Sequence, residues 1–327
     1  MRLDALLTDT TARVVLLTGE WGTGKTYQWN QARARFKEKR PRYAYVSLFG
    51  LTSTADLRRR IAEEAGLSFD MNLGKAGDET SIATTVRPGV FAKFLRLAGG
   101  SGAKAEELVT ELLFTQVRDA IICIDDLERS SKSIDIGDVL GLANYLKEER
   151  NCRVLLVSNQ KKLNDESKKS LLDYMEKVVD ERVELAPSID EAVTVAFGTA
   201  TDAATALVRT RARHLMIGNI RVLRQIRRLA GAIHDELADL HERVRDEAVQ
   251  AAALFGAVHL QGRSDLPTTE YLFELEDNWV RYFGEKKKAH EQTDEDRKYE
   301  KWKAMLQAYR YVLTSPLDKE VGAVVSG

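Results

Sequence analysis

The chain has 327 residues, of which 44% are hydrophobic and 30% charged, with a formal net charge of −1. This composition excludes a disordered chain, and the near-zero charge excludes a global field that would pull the molecule onto nucleic acid or an anionic membrane. No stretch approaches 18 uninterrupted apolar residues, so no bilayer span is expected. The two cysteines, Cys123 and Cys152, lie outside any C-x-x-C arrangement, as core thiols in a reducing compartment would.

Met1-Arg2-Leu3-Asp4 leads almost directly into the first element, so no signal peptide and a cytoplasmic location are expected. The first strand is expected over 13–18, around the apolar run Val14-Val15-Leu16-Leu17. Directly after it stands Gly19-Glu20-Trp21-Gly22-Thr23-Gly24-Lys25-Thr26, which satisfies G-x-x-x-x-G-K-[ST]. Tyr27 to Lys39, rich in Gln, Ala, Arg and Lys, follows as a helix. Strand, glycine-rich loop and helix together make the context of a phosphate-binding P-loop. Backbone amides would cradle the phosphates, and the helix N-terminus would add unpaired donors and partial positive charge. The candidate nucleotide-binding set is Gly19 to Tyr27, with Lys25 on the terminal phosphates and the Thr26 hydroxyl on a magnesium ion.

A second strand is expected at Tyr43-Ala44-Tyr45-Val46-Ser47-Leu48, and Ser53-Thr54-Ala55-Asp56 opens an amphipathic helix through Glu64. Residues 66–105, with Gly66, Gly74, Gly77, Gly89 and Ala98-Gly99-Gly100-Ser101-Gly102, read as an insertion carrying a loop or a short helix around Phe91 to Leu97. The third strand, Ala120-Ile121-Ile122-Cys123-Ile124, ends on Asp125-Asp126. Four apolar residues closing on two carboxylates form a Walker B pattern. Asp125 is the expected magnesium-side acid, and Asp126 the group that polarises an attacking water. The same pair can also be read as caps of the helix that follows. The fourth strand, Val154 to Ser158, is expected between the first and third, which places its tip at the terminal phosphate. Asn159 is the candidate phosphate or water sensor, with Ser158 next to it as the second candidate and a simple turn-former as the alternative. Asn159-Gln160-Lys161-Lys162 is not the Asn-Lys-x-Asp guanine reader, which favours ATP over GTP.

A short fifth strand is expected over Arg182 to Leu185, and the sequence beyond Pro187 reads almost entirely as helix. The expected organisation is an α/β core over 1–187, a helical lid over 188–261 and a further helical segment over 262–327. Strands alternating with helices imply parallel pairing with helices on both faces, and the strand order that P-loop folds use makes the expected five-stranded sheet 5-1-4-3-2. Between Arg209 and Arg228 stand seven arginines and no acid, with Gly218-Asn219-Ile220-Arg221 starting a helix among them. Arg221 is the candidate to fold over the nucleotide from the lid. The others fit a partner contact, a nucleic-acid backbone contact or a solvated face. Arg182 is a candidate finger toward a neighbouring subunit. The C-terminal aromatics Trp279, Tyr282, Phe283, Trp302, Tyr309 and Tyr311 stand beside the charged run Glu285 to Lys303 and suit the core of a small helical unit. The five histidines have no metal-ligand spacing.

These residues resemble the KAP family of P-loop NTPases, within the broader group related to AAA+ and STAND ATPases. The likeness is carried by the tryptophan-containing P-loop, by Tyr45-Val46-Ser47-Leu48-Phe49-Gly50-Leu51, by Ile124-Asp125-Asp126-Leu127-Glu128-Arg129 and by Gly218-Asn219-Ile220-Arg221. It covers residues 1 to about 230. Glu128 stands where that family more often has aspartate. The resemblance implies ATP and magnesium, a helical lid and a regulated switch, often in bacterial defence against phage or plasmids; a homo-oligomer and an effector protein are the candidate partners, with the oligomeric state left open by the sequence. Many relatives carry membrane helices between the two nucleotide motifs, where this chain has its glycine-rich 66–105 stretch.

Overall fold

The computed structural model describes residues 11–35, 42–66, 110–263, 265–275, 293–311 and 313–327. The expected insertion beyond Gly66 with its helix around Phe91 to Leu97, the end of the 27–39 helix, Trp279, Tyr282 and Phe283, and the first part of the charged run lie outside these residues. The chain divides into two units, Met1–Ala186 and Pro187–Gly327.

The first unit is built on five strands: β1 (Arg13–Thr18), β2 (Tyr43–Ser47), β3 (Ile121–Asp125), β4 (Arg153–Ser158) and β5 (Glu181–Glu184). All pair in parallel, in the order β2-β3-β4-β1-β5, which is the expected order read from the other edge. Burial explains the ranking. The three inner strands β1, β3 and β4 are buried along nearly their whole length, whereas the edge strands β2 and β5 only alternate. Because successive side chains point to opposite faces, β1 splits its residues between two cores. Val14 and Leu16 join Ile122, Ile124, Val154 and Leu156 on one face. That face is covered by α2 (Thr54–Glu64), α3 (Ile136–Glu148) and α4 (Asp165–Val178). Val15 and Leu17 join Cys123, Leu155 and Val157 on the other, under Trp29 of α1 (Lys25–Arg35). Fully burying an aliphatic side chain of this size stabilises by roughly 1.5–3 kcal/mol, so the two faces together fix the strand register.

Helix starts follow the local chemistry. Ser53 caps α2 by accepting from the Asp56 N–H, and Asn164 caps α4 through Ser167.

Among the described residues the second unit's elements are helices: α5 (Ile189–Phe197), α6 (Ala203–His214), α7 (Ile220–Glu236), α8 (Glu242–Gln261), α9 (Thr269–Phe273), α10 (Asp294–Tyr309) and α11 (Pro316–Ser326). Full capping boxes start α5 at Ser188 with Glu191, α10 at Thr293 with Asp296, and α11 at Ser315 with Asp318. The middle of α8, from Ala251 to Val258, is buried without a break, as in a helix surrounded by others. Two glycines permit the close approach. A Cβ on Gly256 would stand 2.9 Å from Ile226 of α7, and one on Gly322 would stand 2.8 Å from the Phe255 ring. Tyr309 and Tyr311 belong to the same core as Ala192 to Val258, and Trp302 is buried beside Tyr271 and Tyr299.

Candidate phosphate-binding site

β1 delivers the chain to Gly19 beside β5, where only a hydrogen fits: a Cβ there would lie 2.5 Å from the Leu185 carbonyl oxygen. Gly22 and Gly24 take φ values of 78° and 87°, the left-handed region that costs glycine nothing. The loop then closes on itself. The Thr23 hydroxyl donates to the Glu20 carbonyl at 2.8 Å, and Lys25 Nζ donates to the carbonyls of Gly19 and Glu20 at 2.7 and 3.0 Å. α1 begins at Lys25 and has no acidic residue in its first turn. Its leading amides therefore face the loop with no competing carboxylate from their own helix, which suits an anion.

The register of β3 brings the acidic pair to the same end of the sheet. Asp125 Oδ2 accepts from Thr26 Oγ1 at 2.9 Å and from the Tyr45 hydroxyl at 2.8 Å, and its Oδ1 accepts from the Asp126 N–H at 2.7 Å. Burial pushes the Asp125 carboxyl up from its ordinary range, and the donors from Tyr45, Asp126 and Thr26 pull it back. Tyr45 is itself pushed up, first by burial and then by the Asp125 charge, so it stays a donor. Asp126 adopts the left-handed conformation, φ 61° and ψ 41°, and accepts from Ser47 Oγ at 2.6 Å. Among the described residues no three His, Cys, Asp or Glu side chains form a metal-holding group. A magnesium ion fits this donor set, because that ion takes one or two protein oxygens and completes its shell with phosphate and water.

The tip of β4 completes the site. Ser158 is fully buried and its hydroxyl has no hydrogen-bond partner among the described residues, a cost a native core avoids unless something supplies the missing bond. Asn159, nearly buried, donates its N–H to Glu128 Oε2 at 2.9 Å and accepts the Lys161 N–H on its side-chain oxygen at 3.2 Å. That second bond caps a short 3₁₀ turn, Gln160–Lys162, so in this structure the side-chain oxygen serves the turn-forming role left open by the sequence. Glu20 pairs with Lys161, whose hydrogen bond lowers the Glu20 carboxyl below its ordinary range.

The first unit thus brings together Lys25, Thr26, Asp125, Asp126 and Asn159. Trp21 and Tyr27 are exposed at the same loop and helix start. Arg221 lies in the second unit, exposed on the first turn of α7 behind its Asn219 cap. Arg182 is exposed and donates to Gln160 at 2.8 Å. The arginine-rich stretch has a use the sequence did not suggest. Arg209 donates to the carbonyls of Gly198 and Ala200, Arg211 to that of Tyr309, and Arg224 to that of Val195. Arg213 pairs with Asp190, and Arg227 donates to Thr205. These arginines tie the second unit's own helices together.

Three residues at the site had entered only through the family likeness, with no role assigned to them: Tyr45, Ser47 and Glu128. Tyr43, Tyr45 and Ser47 place hydroxyls at every second position of β2, a period that a polar stripe along one face would have revealed. Glu128 bore no local signal, since both its partners are distant in the chain. A groove of about 600 Å³ between α3 and α4, lined by Gly137, Gly141, Lys169 and Tyr174 among others, shares none of these residues.

Comparison with known proteins is consistent with this geometry. The AAA domain family matches residues 8–166. Among solved structures, Cdc6p from Pyrobaculum aerophilum is similar over 99% of this chain and 92% of its own, with a TM-score of 0.52 at 14% identity. This is a P-loop NTPase fold. Drosophila ORC bound to DNA is similar with a TM-score of 0.45 at 12% identity, over 99% of this chain and 84% of that one. A DNA replication initiation factor reaches 0.38 at 15% identity, over 98% and 92%. Neither adds to what the first likeness shows. No curated protein matches the sequence. Among the described residues no helix is long and apolar enough to cross a membrane. The narrower likeness to the KAP family rests on the residues quoted for it.

Proposed function

We propose that this protein is a magnesium-dependent, ATP-binding and ATP-hydrolysing switch of the KAP type. One observation carries the reading: Thr26 at the head of α1 and Asp125 at the end of β3 meet at 2.9 Å across 99 residues, beside a loop that only glycines can build. Lys25 and the loop amides bind the β- and γ-phosphates. Thr26 and Asp125 hold the magnesium ion, which when bound neutralises charge on the phosphate oxygens. Asp126 orients a water for in-line attack on the γ-phosphorus. The bond to the β-γ bridging oxygen breaks, ADP leaves with that electron pair, and the water proton passes toward Asp126. Arg221 from the helical lid stabilises the spreading negative charge and couples it to lid position.

Lys25→Ala should lose ATP affinity, read by calorimetry with ATP and magnesium. Asp126→Asn should keep that affinity and lower phosphate release by about 10²- to 10⁴-fold. Parental hydrolysis in both variants would refute the roles.

A second reading is a nucleotide-gated interaction module with little hydrolysis. It is favoured by Asn159, whose side-chain oxygen is already engaged with its own turn. Phosphate release measured with and without candidate partners separates the two. The expected setting is the cytoplasm, in defence against phage or plasmids, with a second copy or an effector protein as partner. Arg221 and Arg228 are exposed on α7 and are the arginines best placed to meet such a partner or a nucleic-acid backbone. Solution mass with and without non-hydrolysable ATP tests assembly.

A further inference from the structure

Glu128 uses each carboxylate oxygen on a different element. Oε1 accepts the indole N–H of Trp21 at 2.7 Å, and Oε2 accepts the backbone N–H of Asn159 at 2.9 Å. The left-handed turn at Asp126 and the single 3₁₀ turn Leu127–Arg129 return the chain so that Glu128 stands between the P-loop and the tip of β4. Trp21 is 47% exposed, so its ring does not serve the core. Its one polar atom, which can only donate, is committed to Glu128. The preceding loop residue is tied to the same neighbourhood: Glu20 pairs with Lys161, while the Lys162 ammonium stands 5.6 Å over the Trp21 ring. Lys25 in turn donates to the carbonyls of Gly19 and Glu20, so the position of this arm decides where the lysine is held.

We propose that Glu128 is a positioning residue: it clamps the P-loop arm at Trp21 to the tip of β4 at Asn159, and so presets the loop for a nucleoside triphosphate. This rests on the nucleotide-binding reading above and deepens it. The clamp acts by preorganisation. Hydrogen bonds to a charged carboxylate are about twice as strong as neutral ones, and a loop ordered before binding spends less of the ligand's interaction energy on ordering. A glutamate suits the task because both donors need an acceptor at once.

The test uses the full chain and four proteins: the parent, Glu128→Gln, Trp21→Phe and the double variant. Glutamine keeps the shape but turns one of the two acceptor oxygens into an NH2 donor, which at that position faces the N–H of Trp21 or of Asn159 and cannot accept it. Phenylalanine keeps a ring and removes the donor at a half-exposed site, so this variant should fold even where Glu128→Gln does not. Titration calorimetry with ATP and magnesium should show each single variant weakened about tenfold. The double variant should be no weaker than the worse single one, as for two halves of one interaction. The Trp21 emission, isolated by difference from Trp21→Phe, should shift in Glu128→Gln, which a general loss of stability would not produce. Parental affinity in Glu128→Gln, or losses that multiply in the double variant, would overturn the clamp. A parent that takes up no ATP would instead sink the nucleotide reading, and the role of Glu128 with it, before any variant is compared.

Discussion

Tyr45→Phe removes a single oxygen from the site and leaves the ring in place. That oxygen donates at 2.8 Å to Asp125 Oδ2, the atom that also accepts from Thr26. A hydrogen bond to a charged group is worth about 1.5–3 kcal/mol when its loss leaves a buried partner short. For a unit of this size each kcal/mol moves the melting temperature by about 2–4 °C, so the loss should be roughly 3–12 °C. The upper end is a ceiling. Asp125 is already pushed up by burial, and without Tyr45 it can shed part of the cost by taking a proton more readily. Urea unfolding of four proteins measures the effect: parent, Tyr45→Phe, Asp125→Ala and the pair. In the Asp125→Ala background, Tyr45→Phe should cost less than about 0.5 kcal/mol, because the acceptor is gone. An equal cost in both backgrounds, or none in either, would refute the assignment of Tyr45 as the donor that holds the acid in place.

Other consequences concern the scaffold. Gly256→Ala forces a Cβ to within 2.9 Å of Ile226 and should destabilise the second unit by about 1–3 kcal/mol, measured by urea unfolding. Asp56 is held at about 2, below its ordinary 3.8, chiefly by the Thr52 hydroxyl at 2.6 Å. Because its folded pKa is depressed, this contribution is complete above pH 3.8 and is lost as the pH falls through about 2. Asp56→Asn should therefore flatten that part of the acid limb in the urea midpoint against pH. An unchanged slope would show that Asp56 contributes nothing there.

Much of the first unit was legible because its causes are local. A run such as Val14 to Leu17 must be buried on both faces of a sheet, and a loop spaced Gly19, Gly22, Gly24 must run between a strand and a helix, whatever surrounds them. Strand order came from likeness to the P-loop fold rather than from the residues, because parallel strands would bring the phosphate loop and the acidic strand end to the same edge in any order. The Ser53 cap and the start of α2 were readable for the same local reason.

What sequence alone determined is thus the set of elements, their parallel pairing and the residue types at the sheet's C-terminal edge. Tertiary structure decided which of those types touch. Tyr45 finds Asp125 across 80 residues, and Trp21 finds Glu128 across 107. Neither pairing can be read from its spacing, because the first depends on the register of β2 against β3 and the second on the left-handed turn at Asp126. The arginines from 209 to 227 show the same principle from the other side. Read along the chain they are a run of charge. Folded, five of them close on nearby carbonyls, a carboxylate and a hydroxyl, because long side chains lying over helix ends meet backbone oxygens that no helix bond satisfies.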